Sequence, residues 1–119
     1  MTSYEMAVLL AKTLDGKKGL DIKVLKTEEL TTLADYFVLC TATSNTQVKA
    51  MSDACEAAAE AQGERVHHIE GHGDGTWLLM DFSSVVVHVF TEEAREFYSL
   101  ERLWSDAAPV DVSQYLTQD

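Results

Sequence analysis

The residues of this chain that could do chemistry are four histidines, two cysteines, a glycine-rich loop and scattered carboxylates. His67 and His68 are adjacent. On a strand their side chains point to opposite faces, so they do not easily share a metal. His72 lies among glycines, and Glu70 or Asp74 could join it, yet zinc needs three or four converging ligands. No metal or cofactor is expected. His88 interrupts a valine run and alternates with Val87 and Val89, so it shares a face with Val86 and Phe90. It reads as a semi-buried imidazole hydrogen-bonded to a neighbour, with partner recognition as the alternative.

Gly71-His72-Gly73-Asp74-Gly75 has the look of a phosphate loop but lacks the Lys-Ser/Thr that such a loop needs. The chain after it is strand-like, not a helix N-terminus, so turn glycines are the better reading. Asp35 and Asp81 flank strands and could meet across a sheet to hold Mg²⁺. Phosphoryl chemistry would also require a phosphate clamp, and no Lys/Arg cluster supplies one. Cys40 lies in an apolar strand and Cys55 on the inner face of a helix, without an activating cation. Both read as buried thiols. No serine–histidine–acid set follows from spacing.

Binding chemistry is better represented. Trp77 and Trp104 supply large contact area at low entropic cost. On a strand, Trp77, Leu79 and Asp81 share one face and Leu78, Met80 and Phe82 the other. One set fills the core while the other meets helices or a partner.

These residues need elements to position them. Thr2 and Glu5 fit a capping box, and Tyr4, Ala7, Leu10, Ala11 and Leu14 form a helical stripe that stops near Gly16. Ile22 and Val24 alternate with charged residues as in a half-buried strand. Residues 27–33 read as a connecting turn. Tyr36 to Thr41 is continuously apolar and predicts a central strand. Ser44 and Gln47 make another capping box and open an alanine-rich helix with Val48, Met51, Cys55 and Ala58 inward, ended by Gly63. Val66–Glu70, Thr76–Phe82 and Val85–Phe90 predict three more strands, the last two joined at Ser83-Ser84 as a hairpin. Thr91 caps a helix with Glu92 and Glu93 in its first turn. Pro109 marks a break. The expectation is a single α/β domain over residues 1–107, with a mixed sheet of about five strands flanked by helices. A polar, flexible tail is expected over 108–119, from which Val112, Tyr115 and Leu116 could dock.

The length, 119 residues, suits one core. The net charge is −11, and residues 1–30 balance five lysines with five acids, so the whole excess lies beyond them. Such a field repels phosphate backbones and argues against tight nucleic-acid binding. It favours encounter with a basic partner, although solubility alone is the blander explanation. No apolar run is long enough to cross a bilayer, and the N-terminus lacks a secretory pattern.

Four blocks together resemble the Iojap, or ribosomal silencing factor, family across roughly residues 3–107. They are Ala34-Asp35-Tyr36-Phe37-Val38; Ser44 through Gln47-Val48 with Ala50; Glu70-Gly71 with Gly75, Trp77, Leu79 and Asp81; and Val85 to Phe90 leading to Arg95, Phe97-Tyr98, Leu100-Glu101 and Leu103-Trp104. The resemblance implies a nucleotidyltransferase-like topology without the catalytic set, hence no enzyme. It implies binding to ribosomal protein uL14 on the large subunit, which blocks joining of the small subunit and lowers translation under nutrient limitation. It also implies a homodimer in the free state, and with no added terminal extension to suggest mitochondrial targeting a bacterial-type cytoplasmic protein is expected. Carried over by position, the partner-binding residues are Trp77, Leu79, Asp81, His88, Phe90, Arg95, Glu96, Tyr98, Leu100, Glu101, Leu103 and Trp104. Two departures stand out: many relatives carry a basic residue where Thr46 stands, and a glycine in the turn where this chain has Ser83-Ser84. The alternatives are a residual metal-dependent nucleotidyltransferase acting through Asp35 or Asp81, and an acidic adaptor for another basic protein.

Overall fold

The computed structural model describes residues 1–30, 32, 34–72, 75–98 and 106–116. The chain begins with helix α1 (Ser3–Gly16), whose capping box is complete. Glu5 N–H donates to Thr2 Oγ1 at 3.1 Å, and Thr2 N–H donates to Glu5 Oε1 at 2.8 Å. Strand β1 (Leu20–Lys26) follows, then β2 (Tyr36–Ala42) and helix α2 (Asn45–Ala61). Ser44 Oγ accepts from Gln47 N–H at 3.1 Å and caps α2. The Gln47 side chain does not return to Ser44 as a capping box requires. Its carbonyl accepts from Thr43, and its Nε2 donates to Lys17 O at 3.1 Å, tying the start of α2 to the end of α1. Three strands come next, β3 (His68–His72), β4 (Trp77–Asp81) and β5 (Val85–Thr91). Among the described residues, helix α3 (Glu92–Tyr98), a short strand β6 (Ala108–Val110) and a single 3-10 turn (Ser113–Tyr115) follow.

The six strands form one mixed sheet in the order β3-β4-β5-β2-β1-β6. Only β2 and β5 pair in parallel; the other pairs are antiparallel. β2 is central, as its unbroken apolar run demands, and every residue from Phe37 to Ala42 is buried. α1 and α2 cover one face. Met6, Leu10 and Leu14 of α1 and Val48, Met51 and Cys55 of α2 meet Val38, Cys40, Met80, Val85, Val87 and Val89 there. Each such side chain taken from water contributes on the order of 1.5–3 kcal/mol before chain entropy is charged against it.

Three expectations shift. The third strand begins two residues later than its β-prone run, and takes in Gly71 and His72. On α2 the inward residue of the last turn is Ala59, with Ala58 half-buried. Within the segment expected as a tail over 108–119, the described residues 108–116 are attached to the domain: Ala108, Pro109 and Val110 pair with Lys26, Leu25 and Val24. Val112 is buried in the main core, and Leu116 packs against it. Proline is acceptable there because β6 is an edge strand.

Candidate partner-binding face

The face of the sheet turned away from α1 and α2 carries Trp77, Leu79, Asp81, His88 and Phe90. Antiparallel register sets Trp77 opposite Phe90, Leu79 opposite His88 and Asp81 opposite Val86. Parallel register continues the rows onto Thr41, Leu39 and Phe37 of β2. Trp77, Leu79 and Asp81 therefore stand side by side with His88 and Phe90, as strand periodicity predicts. Among the described residues, α3 is the helix that contacts this side, against β5 and β2.

The depth of these residues differs along the row. Trp77, Leu79 and Asp81 on β4 are half-buried. Trp77 packs on Leu39, Phe90 and Ala94, while Leu79 packs on Ala34, Phe37 and Val86. His88 is 5% exposed and Phe90 fully buried. Arg95, at 7%, is buried too. Its Nη1 donates to Thr41 Oγ1 at 2.7 Å and to Asp21 O at 3.1 Å. Its guanidinium carbon lies 5.1 Å from the Phe90 ring centroid, a cation–π contact. Glu96 is exposed on α3, beside exposed Glu92 and Glu93. Tyr98 ends α3. The Tyr98 side chain lies outside the described residues, as do Leu100, Glu101, Leu103 and Trp104.

Hydrogen bonds to near neighbours organise several polar groups of this face. Trp77 Nε1–H donates to His88 Nδ1 at 3.2 Å, so His88 is the hydrogen-bonded imidazole expected from its place in the valine run. Thr91 Oγ1 accepts from Ala94 N–H at 3.3 Å and caps α3. Asp81 Oδ1 accepts from Ser83 N–H at 2.7 Å and shapes the β4–β5 turn. Ser83 there has φ 75°, the left-handed region a glycine would enter at no cost. Asp35 and Asp81 lie toward the same end of the sheet, and Asp35 N–H donates to Ser84 O at 2.8 Å. Among the described residues no three His, Cys, Asp or Glu side chains converge as a metal site requires. The cysteines are inert by environment: burial pushes both the Cys40 and the Cys55 thiol up to about 12.

Sequence reasoning missed Asp21 and Thr41, the partners of Arg95. Asp21 has φ 48° and sits where the β1–β2 register slips between Leu20 and Lys23. That bulge has no signature in residue type, and an aspartate between apolar residues reads simply as the solvent side of a strand.

Comparison with known proteins bears on the family and the fold. Residues 1–119 match the family described as "Ribosomal silencing factor during starvation". The chain is 35% identical over 118 residues to the ribosomal silencing factor of Bacillus subtilis, covering 99% of this chain and 100% of that protein. It is 34% identical over 112 residues to the ribosomal silencing factor of Halalkalibacterium halodurans, covering 94% and 96%. A crystal structure of a Chromobacterium violaceum protein superposes with a TM-score of 0.84 at 36% identity, covering 88% of each chain. Sequence and fold thus agree over nearly the whole length, and the chain belongs to the ribosomal silencing factor (Iojap) family.

Proposed function

We propose that this protein silences ribosomes by binding uL14 on the large subunit and occluding the surface that the small subunit must approach. Family membership supports a ribosomal silencing role. The observation that carries the finer reading is the half-buried row Trp77, Leu79 and Asp81 on β4. Their inner atoms are fixed by packing, while the outer part of the row offers an aromatic, an aliphatic and a carboxylate to a partner. A pre-ordered aromatic flanked by polar groups is the usual make-up of an interface hot spot. Exposed Glu92, Glu93 and Glu96 at α3 extend an acidic surface suited to a basic ribosomal protein.

In this reading Trp77, Leu79, Asp81 and Glu96 meet the partner, and Tyr98, Leu100, Glu101, Leu103 and Trp104 take part in recognition as the family resemblance implies. Phe90, His88 and Arg95 serve from within. The action is steric and has no chemical step. We place it in the cytoplasm, with a homodimer as the free state and a topology akin to nucleotidyltransferases. Sedimentation of separated ribosomal subunits with purified protein tests the proposal. Co-migration with the large subunit and loss of joined ribosomes are expected. Normal joining at saturating protein would refute it.

A further inference from the structure

We infer that Arg95, Thr41 and Asp21 form a clamp that sets the angle of α3 on the sheet and thereby positions the partner-binding face, an inference that rests on the function proposed above. Arg95 is a positioning residue here, not a contact residue. With 7% of its surface exposed it has little to offer a partner. From α3 its side chain lies over Phe90 of β5, donates to Thr41 of β2 at 2.7 Å and reaches the Asp21 carbonyl of β1 at 3.1 Å. The Asp21 carboxylate adds an ion pair at 3.5 Å. One side chain thus spans three neighbouring strands.

The helix needs such a hold. Seven residues are too few for a helix to persist alone in water. Among its described side chains, the apolar one that packs inward is Ala94, against Leu39 and Phe90. Its first turn holds Glu92 and Glu93, both exposed. Capping by Thr91 fixes where α3 begins, but a cap is a pivot and does not fix direction. The clamp supplies the second point that defines an axis. The β1 bulge fits this role. Bulges re-aim backbone groups, and the left-handed conformation of Asp21 is tolerated by aspartate better than by most residues. A guanidinium suits the site because it is less strongly hydrated than an ammonium and its plane can lie over the Phe90 ring while Nη1 donates to the hydroxyl and the carbonyl.

The test uses Arg95→Met, Thr41→Val and the double variant, read by amide hydrogen exchange and by binding to purified large subunits. Thr41→Val keeps shape and strand preference, so it decides the matter if Arg95→Met fails to fold. Thr41→Val is expected to speed exchange of the α3 amides by about tenfold, the loss expected when one charge-assisted hydrogen bond goes, and Arg95→Met by at least as much, while the α1 amides stay unchanged in both. Subunit binding should weaken by about tenfold, and the double variant should be no weaker than Arg95→Met alone. Unchanged α3 exchange, or losses in binding that multiply as for independent contacts, would overturn the clamp. Wild-type protein that fails to bind large subunits would refute the functional reading instead, and exchange would still decide the clamp.

Discussion

Trp77 and His88 are joined diagonally across the β4–β5 pair, with the indole Nε1–H donating to His88 Nδ1 at 3.2 Å and the ring centroids 6.0 Å apart. Acceptance at Nδ1 places the proton of the neutral imidazole on Nε2. The Phe37 ring follows, 5.3 Å from His88. Three rings from adjacent strands therefore support one another, and Trp77 is the outermost. A tryptophan held from behind loses little freedom when a partner covers its outer edge, which is why it makes an efficient anchor.

Substitution at Trp77 separates these two roles. Trp77→Phe keeps most of the apolar contact and removes the donor to His88, so stability should fall by about 1 kcal/mol. Trp77→Ala should cost about 2 kcal/mol or more in affinity for the large subunit. Denaturant midpoints and subunit co-sedimentation read the two effects. Full affinity in Trp77→Ala would remove this residue from the interface.

The β4–β5 turn gives a stability prediction of opposite sign. Ser83 holds φ 75° with its N–H donating to Asp81 Oδ1 at 2.7 Å. A non-glycine residue in that region costs on the order of 1–2 kcal/mol, part of which glycine loses again through greater freedom in the unfolded chain. Ser83→Gly should therefore stabilise the protein by about 0.5–1 kcal/mol, or roughly 2–5 °C in Tm. A lower Tm by calorimetry would mean that the serine side chain contributes more than its backbone costs.

The parts of the fold that were legible in the sequence are those decided locally. The helix starts at Thr2 and Ser44 rest on side chains reaching three residues along the chain. The central position of β2 follows from a run of six consecutive buried residues, Phe37 to Ala42, with no solvent side. The row Trp77, Leu79, Asp81 follows from the two-residue period of a strand. What was not legible depends on residues far apart. β6 is three residues long and holds a proline, so it carries no periodicity, and its pairing with β1 exists only once the sheet is built. Gly19 gave no hint of its role. A Cβ there would collide with Cys40 Sγ and lie 2.9 Å from Leu14 O, so the glycine is what lets the chain leave α1 beneath the sheet. Arg95 looked like a surface cation for a partner. Its burial is intelligible only beside Thr41, 54 residues away, and Asp21, 74 away. Residue type identified the face, while long-range contacts decide which members of it are accessible.

The two cysteines tie the core to alkaline pH. Cys40 Sγ lies 4.0 Å from Met51 Sδ, and Cys55 stands one helical turn beyond Met51 in the same cluster. Burial pushes each thiol up to about 12, whereas a thiol in the unfolded chain ionises near 8.5. Below about pH 8 both states are protonated, and the thiols add no pH dependence. Above it the unfolded chain releases protons that the folded protein retains, so stability falls as pH rises toward 12. The slope is at most about 1.4 kcal/mol per pH unit for each thiol. Urea midpoints between pH 7 and 10.5 should therefore decline. In a Cys40→Ala/Cys55→Ala variant they should start lower, because the core loses volume, yet decline less steeply. Thiol reagents at pH 8 should label the native protein only at the rate at which it opens. Rapid labelling of the native protein, or equal slopes in the two proteins, would show that these thiols are not sealed in the core.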